Sequence, residues 1–233
     1  MRYFGGKTRI AGELSKFINN TYGEPVVYWE PFCGMFSVGE RIKAKKRIGT
    51  DKNENLIVLW NALKEGWQPP KSLSEEEYNY LKDSSDISPL RAFAGFGCSH
   101  SGKWFAGYAR DNTERNYALN ACRSLLKKAA KVQDVDFMYG SYDEFFPSLY
   151  GGLIYCDPPY QGTAGSAGFD SSLFDFPSFW QWVREKSKTN IVLVSEYTAP
   201  NDFVAVWQKG VKLDMYQHDR IEKLFRWKND VVY

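Results

Sequence analysis

Histidine is almost absent, with two residues in 233, and the four cysteines Cys33, Cys98, Cys122 and Cys156 include no CxxC pair. That argues against a zinc ribbon or a disulfide framework and leaves a histidine-rich centre without ligands, so no metal is expected. No run of eighteen apolar residues occurs, and Met1-Arg2-Tyr3-Phe4-Gly5-Gly6-Lys7 lacks the pattern of a signal peptide, so no membrane partner is expected. Net charge is also scarce: +2 permits a polyanionic partner without demanding one. No internal repeat is visible. The balance of 43% hydrophobic and 25% charged residues excludes a disordered chain. These absences predict a soluble, reduced, cytoplasmic protein built as one large α/β domain, or one domain with a substantial insertion. Aromatics, by contrast, are plentiful: eight Trp, fifteen Tyr and sixteen Phe. Many must pack the core, and the excess suits stacking on flat ligands.

Along the chain, Ile10, Leu14, Phe17 and Ile18 have helical spacing within residues 8–20. Val26-Val27-Tyr28-Trp29 reads as a buried strand that ends in Glu30-Pro31-Phe32-Cys33-Gly34. A helix over 37–45 is expected next, then a strand over 46–51 that ends in Asp51, then a helix over 53–63 capped by Asn53. Strand, turn, helix, strand and acid in that order open a doubly wound nucleotide-binding sheet. Residues 64–122 interrupt the alternation with Pro69-Pro70, a capping-box helix start at Ser74-Glu75-Glu76-Glu77 and a glycine-rich stretch from Gly95 to Gly107. Strands resume at 136–139, 152–156 and 191–195. Loops at the carboxyl ends of such parallel strands are where these sheets bind ligands.

One loop stands out. Asp157-Pro158-Pro159-Tyr160 directly follows the strand Leu153-Ile154-Tyr155-Cys156. A rigid turn is its plain explanation, because prolines fix φ and stop a strand. Its chemistry allows more. The lone pair of an aromatic amine is delocalised, so the nitrogen is a poor nucleophile. A carboxylate (Asp157) and a backbone carbonyl (Pro158) accepting its two N–H bonds would favour the pyramidal form and stabilise the positive charge that grows on attack. Pro159 stiffens the corner, and Tyr160 offers a face on which an extruded base could stack. Alkyl transfer from a sulfonium requires alignment and no metal.

These residues resemble the catalytic motif of S-adenosylmethionine-dependent amino-methyltransferases, and the other matches resemble the Dam-like DNA adenine-N6 group. Tyr3-Phe4-Gly5-Gly6-Lys7 resembles its amino-terminal signature, Glu30-Pro31-Phe32-Cys33-Gly34 its cofactor loop, and Asp51-Lys52-Asn53 its acidic second motif. Ser195-Glu196-Tyr197-Thr198-Ala199-Pro200 resembles a late element of the group. The resemblance implies a Rossmann-like methyltransferase sheet, with residues 1–63 and 124–233 as the catalytic, cofactor-binding domain and 64–123 as a target-recognition insert with a hairpin. It implies site-specific methylation of a flipped adenine in duplex DNA, with S-adenosylmethionine as donor and S-adenosylhomocysteine as product. Tyr3, Lys7, Phe32, Gly34, Asp51, Tyr142 and Asp157 would then surround the cofactor, with Lys7 on its carboxylate and Asp51 on its ribose. Met35 and Phe36 depart from the small residues common at their places.

Within the insert, Lys103, Trp104, Arg110, Arg115 and Arg123 are the DNA-contact candidates, although a charged residue in such a stretch is as a rule simply solvated. A plain turn equally explains Gly140-Ser141-Tyr142-Asp143, and the basic run 41–47 reads as a solvated helix end. Glycines and serines over 161–176 predict a mobile lid. Two rivals stay open: the same design acting on cytosine N4, RNA or a protein amide, and a catalytically silent DNA-binding module. The resemblance suggests the cytoplasm of a bacterial or phage-infected cell, with a restriction endonuclease as one partner such an enzyme serves.

Overall fold

Side chains alternate between two cores along the central strands, and that alternation sets the layers of the molecule. In the computed structural model, which describes residues 1, 3–110, 115–162, 171–211 and 220–230, the strands are β1 (Val27–Glu30), β2 (Lys46–Asp51), β3 (Val135–Tyr139), β4 (Leu153–Cys156), β5 (Ile191–Glu196), β6 (Phe203–Val211) and β7 (Arg220–Trp227). Tyr28, Tyr155 and Leu193 point into one core, whereas Trp29, Ile154, Val192 and Val194 enter the other. With apolar side chains on both faces, the sheet must be covered twice. Helices α1 (Ala11–Tyr22), α2 (Glu54–Lys64) and α5 (Tyr117–Ala129) supply Leu14, Trp60 and Leu125 to the first core. Helix α6 (Phe176–Ser187) supplies Phe179 and Val183 to the second.

The seven strands lie in the order β3-β2-β1-β4-β5-β7-β6. Pairing is parallel from β3 through β5, and β7 runs antiparallel to both of its neighbours. This is the doubly wound, Rossmann-like α/β sheet expected from the resemblance. The predicted strand over 46–51 matches β2 at both ends.

Other expectations need correction. The helix expected over 37–45 is only a 3₁₀ turn at Gly39–Arg41, and Ile42 is already extended. Phe36 takes a positive φ of 49° and turns its ring beneath Gly39, where an added Cβ would lie 2.3 Å from a ring carbon. The register of β1 and β2 also seats Lys46 beside Val27, which leaves little chain for a longer helix. Asn53 occupies the cap position of α2, but its side chain makes no capping bond; its backbone N–H instead donates to Asp51 Oδ1 at 2.9 Å.

The insert contains α3 (Glu75–Asp83), which carries the predicted capping box, and α4 (Pro89–Ala92), which runs into a π-helical turn at Phe93–Gly97. The expected hairpin is a loop closed by a single bridge between Ser99 and Tyr108. Phe93, Phe96 and Phe105 join the same core as the sheet, and α5 runs through the 123/124 boundary. The helix α6 and the β6–β7 pair carried no signal that the sequence reading used. Residues 163–170, the middle of the expected lid, lie outside the described residues.

Candidate active site

The carboxyl ends of four parallel strands open onto one cavity of about 1010 Å³. Its lining includes Glu30–Gly34 after β1, Asp51 and Asn53 after β2, Ser141 and Tyr142 after β3, and Asp157–Tyr160 after β4, closed on one side by Tyr3–Lys7. Segments more than a hundred residues apart in sequence meet here because β1 lies between β2 and β4.

Asp157 is the first residue beyond β4, and Lys7 reaches it: Nζ lies 2.8 Å from Oδ1. The same ammonium sits 4.3 Å from the centroid of the Tyr160 ring. The Tyr160 hydroxyl donates to Glu222 Oε2 at 2.7 Å, and that oxygen is 3.9 Å from Lys7 Nζ. Tyr197 meets the Tyr160 ring edge-on at 4.7 Å. Burial pushes the Asp157 carboxyl up from its ordinary range, while Lys7 pulls it partly back. Burial weighs against the Lys7 ammonium, but Asp157 and Glu222 outweigh that cost and its net direction is upward. The contact lies in a pocket that screens charges little, which strengthens the attraction between the two groups. Glu196 ties down the diproline loop, accepting from Gln161 N at 3.0 Å and Tyr197 N at 2.6 Å. Its own carboxyl is pushed up to about 7, chiefly by burial.

A second group shapes the other end of the cavity. Gly34 adopts φ +45°, and an added Cβ would be 3.4 Å from the Tyr3 ring, so glycine lets the loop approach that aromatic. Asp51 accepts from Gly34 N at 2.8 Å as well as from Asn53 N, which ties the β1 and β2 loops together. Burial pushes its carboxyl up to about 6 against those two bonds. Each oxygen keeps a lone pair for a further donor. Phe32 and Tyr142 stack at 5.4 Å, with Phe174 edge-on to Phe32 at 5.8 Å, forming an aromatic wall. Met35 and Phe36 are buried in the first core, which is why large residues are accepted there.

All the sequence-predicted catalytic and cofactor residues line this cavity. Two of them are placed differently from expectation: Lys7 is on Asp157, and the face of Tyr160 carries that ammonium. The DNA candidates do not converge. Trp104 lines the cavity and packs against Phe96 at 4.6 Å and Phe105 at 4.7 Å. Lys103 is exposed with its ammonium 4.4 Å from the Phe4 ring, and Arg110 pairs with Glu75. Arg115 lies 5.9 Å from the Tyr117 ring, and Arg123 is exposed on α5.

Glu30 and Glu222 are among the lining residues that the sequence did not single out. Glu30 is buried at the end of β1, accepts from Tyr28 Oη at 2.6 Å and is pushed up to about 8, first by burial. Its place in the cofactor loop was the available signal. Glu222 sits on β7, in a segment with no motif.

Fold and site together define a Rossmann-like enzyme scaffold with an acidic diproline loop at the end of its fourth strand. Residues 3–87 match the family described as D12 class N6 adenine-specific DNA methyltransferase. Over that stretch the chain is similar to this family, in line with the resemblance its motifs carry. The matched part holds Tyr3, Lys7, Gly34 and Asp51 and stops before Asp157. Type II methyltransferase M.FokI of Planomicrobium okeanokoites is 24% identical over 192 residues, which is 71% of this chain but 29% of that protein. The chain thus spans less than a third of that relative. A DNA adenine methylase of Vibrio cholerae is 26% identical over 196 residues, covering 73% of this chain and 68% of the relative. Among solved structures, the rRNA methyltransferase aviRa from Streptomyces viridochromogenes aligns with a TM-score of 0.46 and 13% identity, over 96% of this chain and 86% of that one.

Proposed function

We propose that the protein is a site-specific DNA adenine-N6 methyltransferase that takes its methyl group from S-adenosylmethionine. The observation that carries this reading is the Asp157 carboxylate, largely buried at the end of β4 and holding an ammonium at 2.8 Å beside an aromatic ring. A seat that accepts Lys7 in that way is suited to an exocyclic amine.

The cavity fits the donor as well as a base. Its volume is at the upper end for small-molecule sites, so there is room for both. Gly34 leaves a cradle beside Tyr3 that a Cβ would narrow, Asp51 retains acceptor capacity for ribose hydroxyls, and the Phe32–Tyr142 wall suits an adenine ring. When bound, S-adenosylmethionine supplies an electrophilic methyl on a sulfonium, which requires in-line alignment with the attacking nitrogen. The protein's own residues supply the rest. Asp157 and the Pro158 carbonyl accept from N6 and favour its pyramidal form. Tyr160 stacks the base once Lys7 withdraws, and Glu196 keeps the loop in place. Extruding the adenine from the duplex costs a few kcal/mol, which stacking at roughly 1–3 kcal/mol per base helps offset.

Double-stranded DNA is the partner this reading requires. Lys103, Arg110, Arg115 and Arg123 are the candidate phosphate or base contacts, and Trp104 is placed at the cavity. The name of M.FokI supports a restriction endonuclease as a cellular partner, and a cytoplasmic site follows from the same reading. Among the described residues no helix is long and apolar enough to cross a membrane. Incubation with methyl-labelled S-adenosylmethionine and separate DNA, RNA and protein acceptors tests the reading. Label is expected in DNA, as N6-methyladenine at one recurring sequence; label confined to RNA or protein overturns it.

A further inference from the structure

Lys7 and Glu222 support an inference that rests on the methyltransferase reading and goes one step past it. The Lys7 ammonium makes both contacts that an extruded adenine needs, the Asp157 carboxylate at 2.8 Å and the Tyr160 face at 4.3 Å. A base can take those contacts only as Lys7 gives them up. With its side chain 10% exposed, the ammonium needs another anion wherever it goes, because an unpaired buried charge is costly. Glu222 supplies one. Its carboxylate is also largely buried, its Oε2 is 3.9 Å from Lys7 Nζ, and it is fixed by the Tyr160 hydroxyl at 2.7 Å. That bond joins the stacking ring to the receiving carboxylate, so ring and receiver keep one spacing.

We propose that Lys7 guards the amine seat and moves from Asp157 to Glu222 when a base enters, which makes Glu222 a positioning residue for base entry. No bond to carbon is made or broken in this step; one ammonium exchanges one carboxylate for another, and the amine takes the vacated oxygen.

Glu222→Gln isolates the role, because the amide oxygen still accepts from Tyr160 while the charge that receives Lys7 is gone. The expected result is a KM for DNA raised about five- to tenfold with kcat changed less than about twofold, within the range of a coupled charged pair. In a Lys7→Met background no ammonium has to relocate, so the same substitution should change KM less than about twofold. Equal effects in the two backgrounds would mean that Glu222 only braces Tyr160, and would overturn the proposal. Lys7→Met alone, free of cofactor, should increase the emission of a duplex carrying 2-aminopurine at the mapped target position, since the guard is gone; unchanged emission also overturns it. That arm decides the matter if Glu222→Gln does not fold or Lys7→Met turns over too slowly, with circular dichroism reporting the fold of each variant. A wild-type protein that fails to methylate DNA defeats the underlying reading instead, so the two failures are distinguishable.

Discussion

In the proposed reaction Asp157 has two tasks that pull against each other. As a buried carboxylate it needs a cation, and Lys7 provides one; as an acceptor for a reacting amine it needs lone pairs that are free. The Lys7–Asp157 contact serves the first task only while the site is empty of base. Truncation separates the two. Asp157→Ala should lower methyl transfer by at least about 10²–10³-fold, the scale of losing a stabilising group that acts at the reacting atom. The fold should persist, because Lys7 keeps a second carboxylate within reach at 3.9 Å. Single-turnover kinetics beside a thermal melt would check this, and wild-type rates in the variant would remove Asp157 from the mechanism. At this scale the motif residues were legible because their chemistry is local: a strand, an acid and two prolines adjoin in sequence. Glu222 was not, since its role arises from a strand pairing that brings it to Tyr160 from 62 positions away.

Elements were legible where short-range pattern decides them. The bounds of β2 follow from an apolar run ending in an acid, and α3 follows from its capping box. The segment after Gly34 misled because it carries charges and apolar residues in helix-like proportion, while a packing requirement overrides them: the Phe36 ring fills the space against Gly39. Gly39→Ala places a methyl group 2.3 Å from that ring. Overpacking of this kind costs about 1–3 kcal/mol, which lowers Tm by about 2–4 °C per kcal/mol in a chain of this size. A melt that matches wild type would show that the Phe36 turn is looser than the geometry implies. The β6–β7 pair escaped for the opposite reason. Along β6 most side chains are exposed or half-buried, so burial leaves little alternation to read.

For the whole molecule, ionisation couples the site to stability. Glu30 is buried with its carboxyl pushed up to about 8 from an ordinary 4.5. The folded chain therefore keeps a proton that the unfolded chain gives up above 4.5. Its contribution to stability is complete at acidic pH and is lost as pH climbs through about 8. Glu30→Gln should match wild type near the acidic end of that window and melt higher at its alkaline end, by at least the roughly 2–4 °C that one kcal/mol represents. Parallel melting curves at both pH values would expose a wrong assignment of that proton. The sheet order has its own consequence during synthesis. β1 and β2 leave the ribosome first, but β4, which covers the other edge of β1, is translated about a hundred residues later. At roughly 5–20 residues per second, that edge stays bare for on the order of 5–20 s. Whatever shields the nascent β1 during those seconds, a chaperone above all, will raise the yield of folded protein.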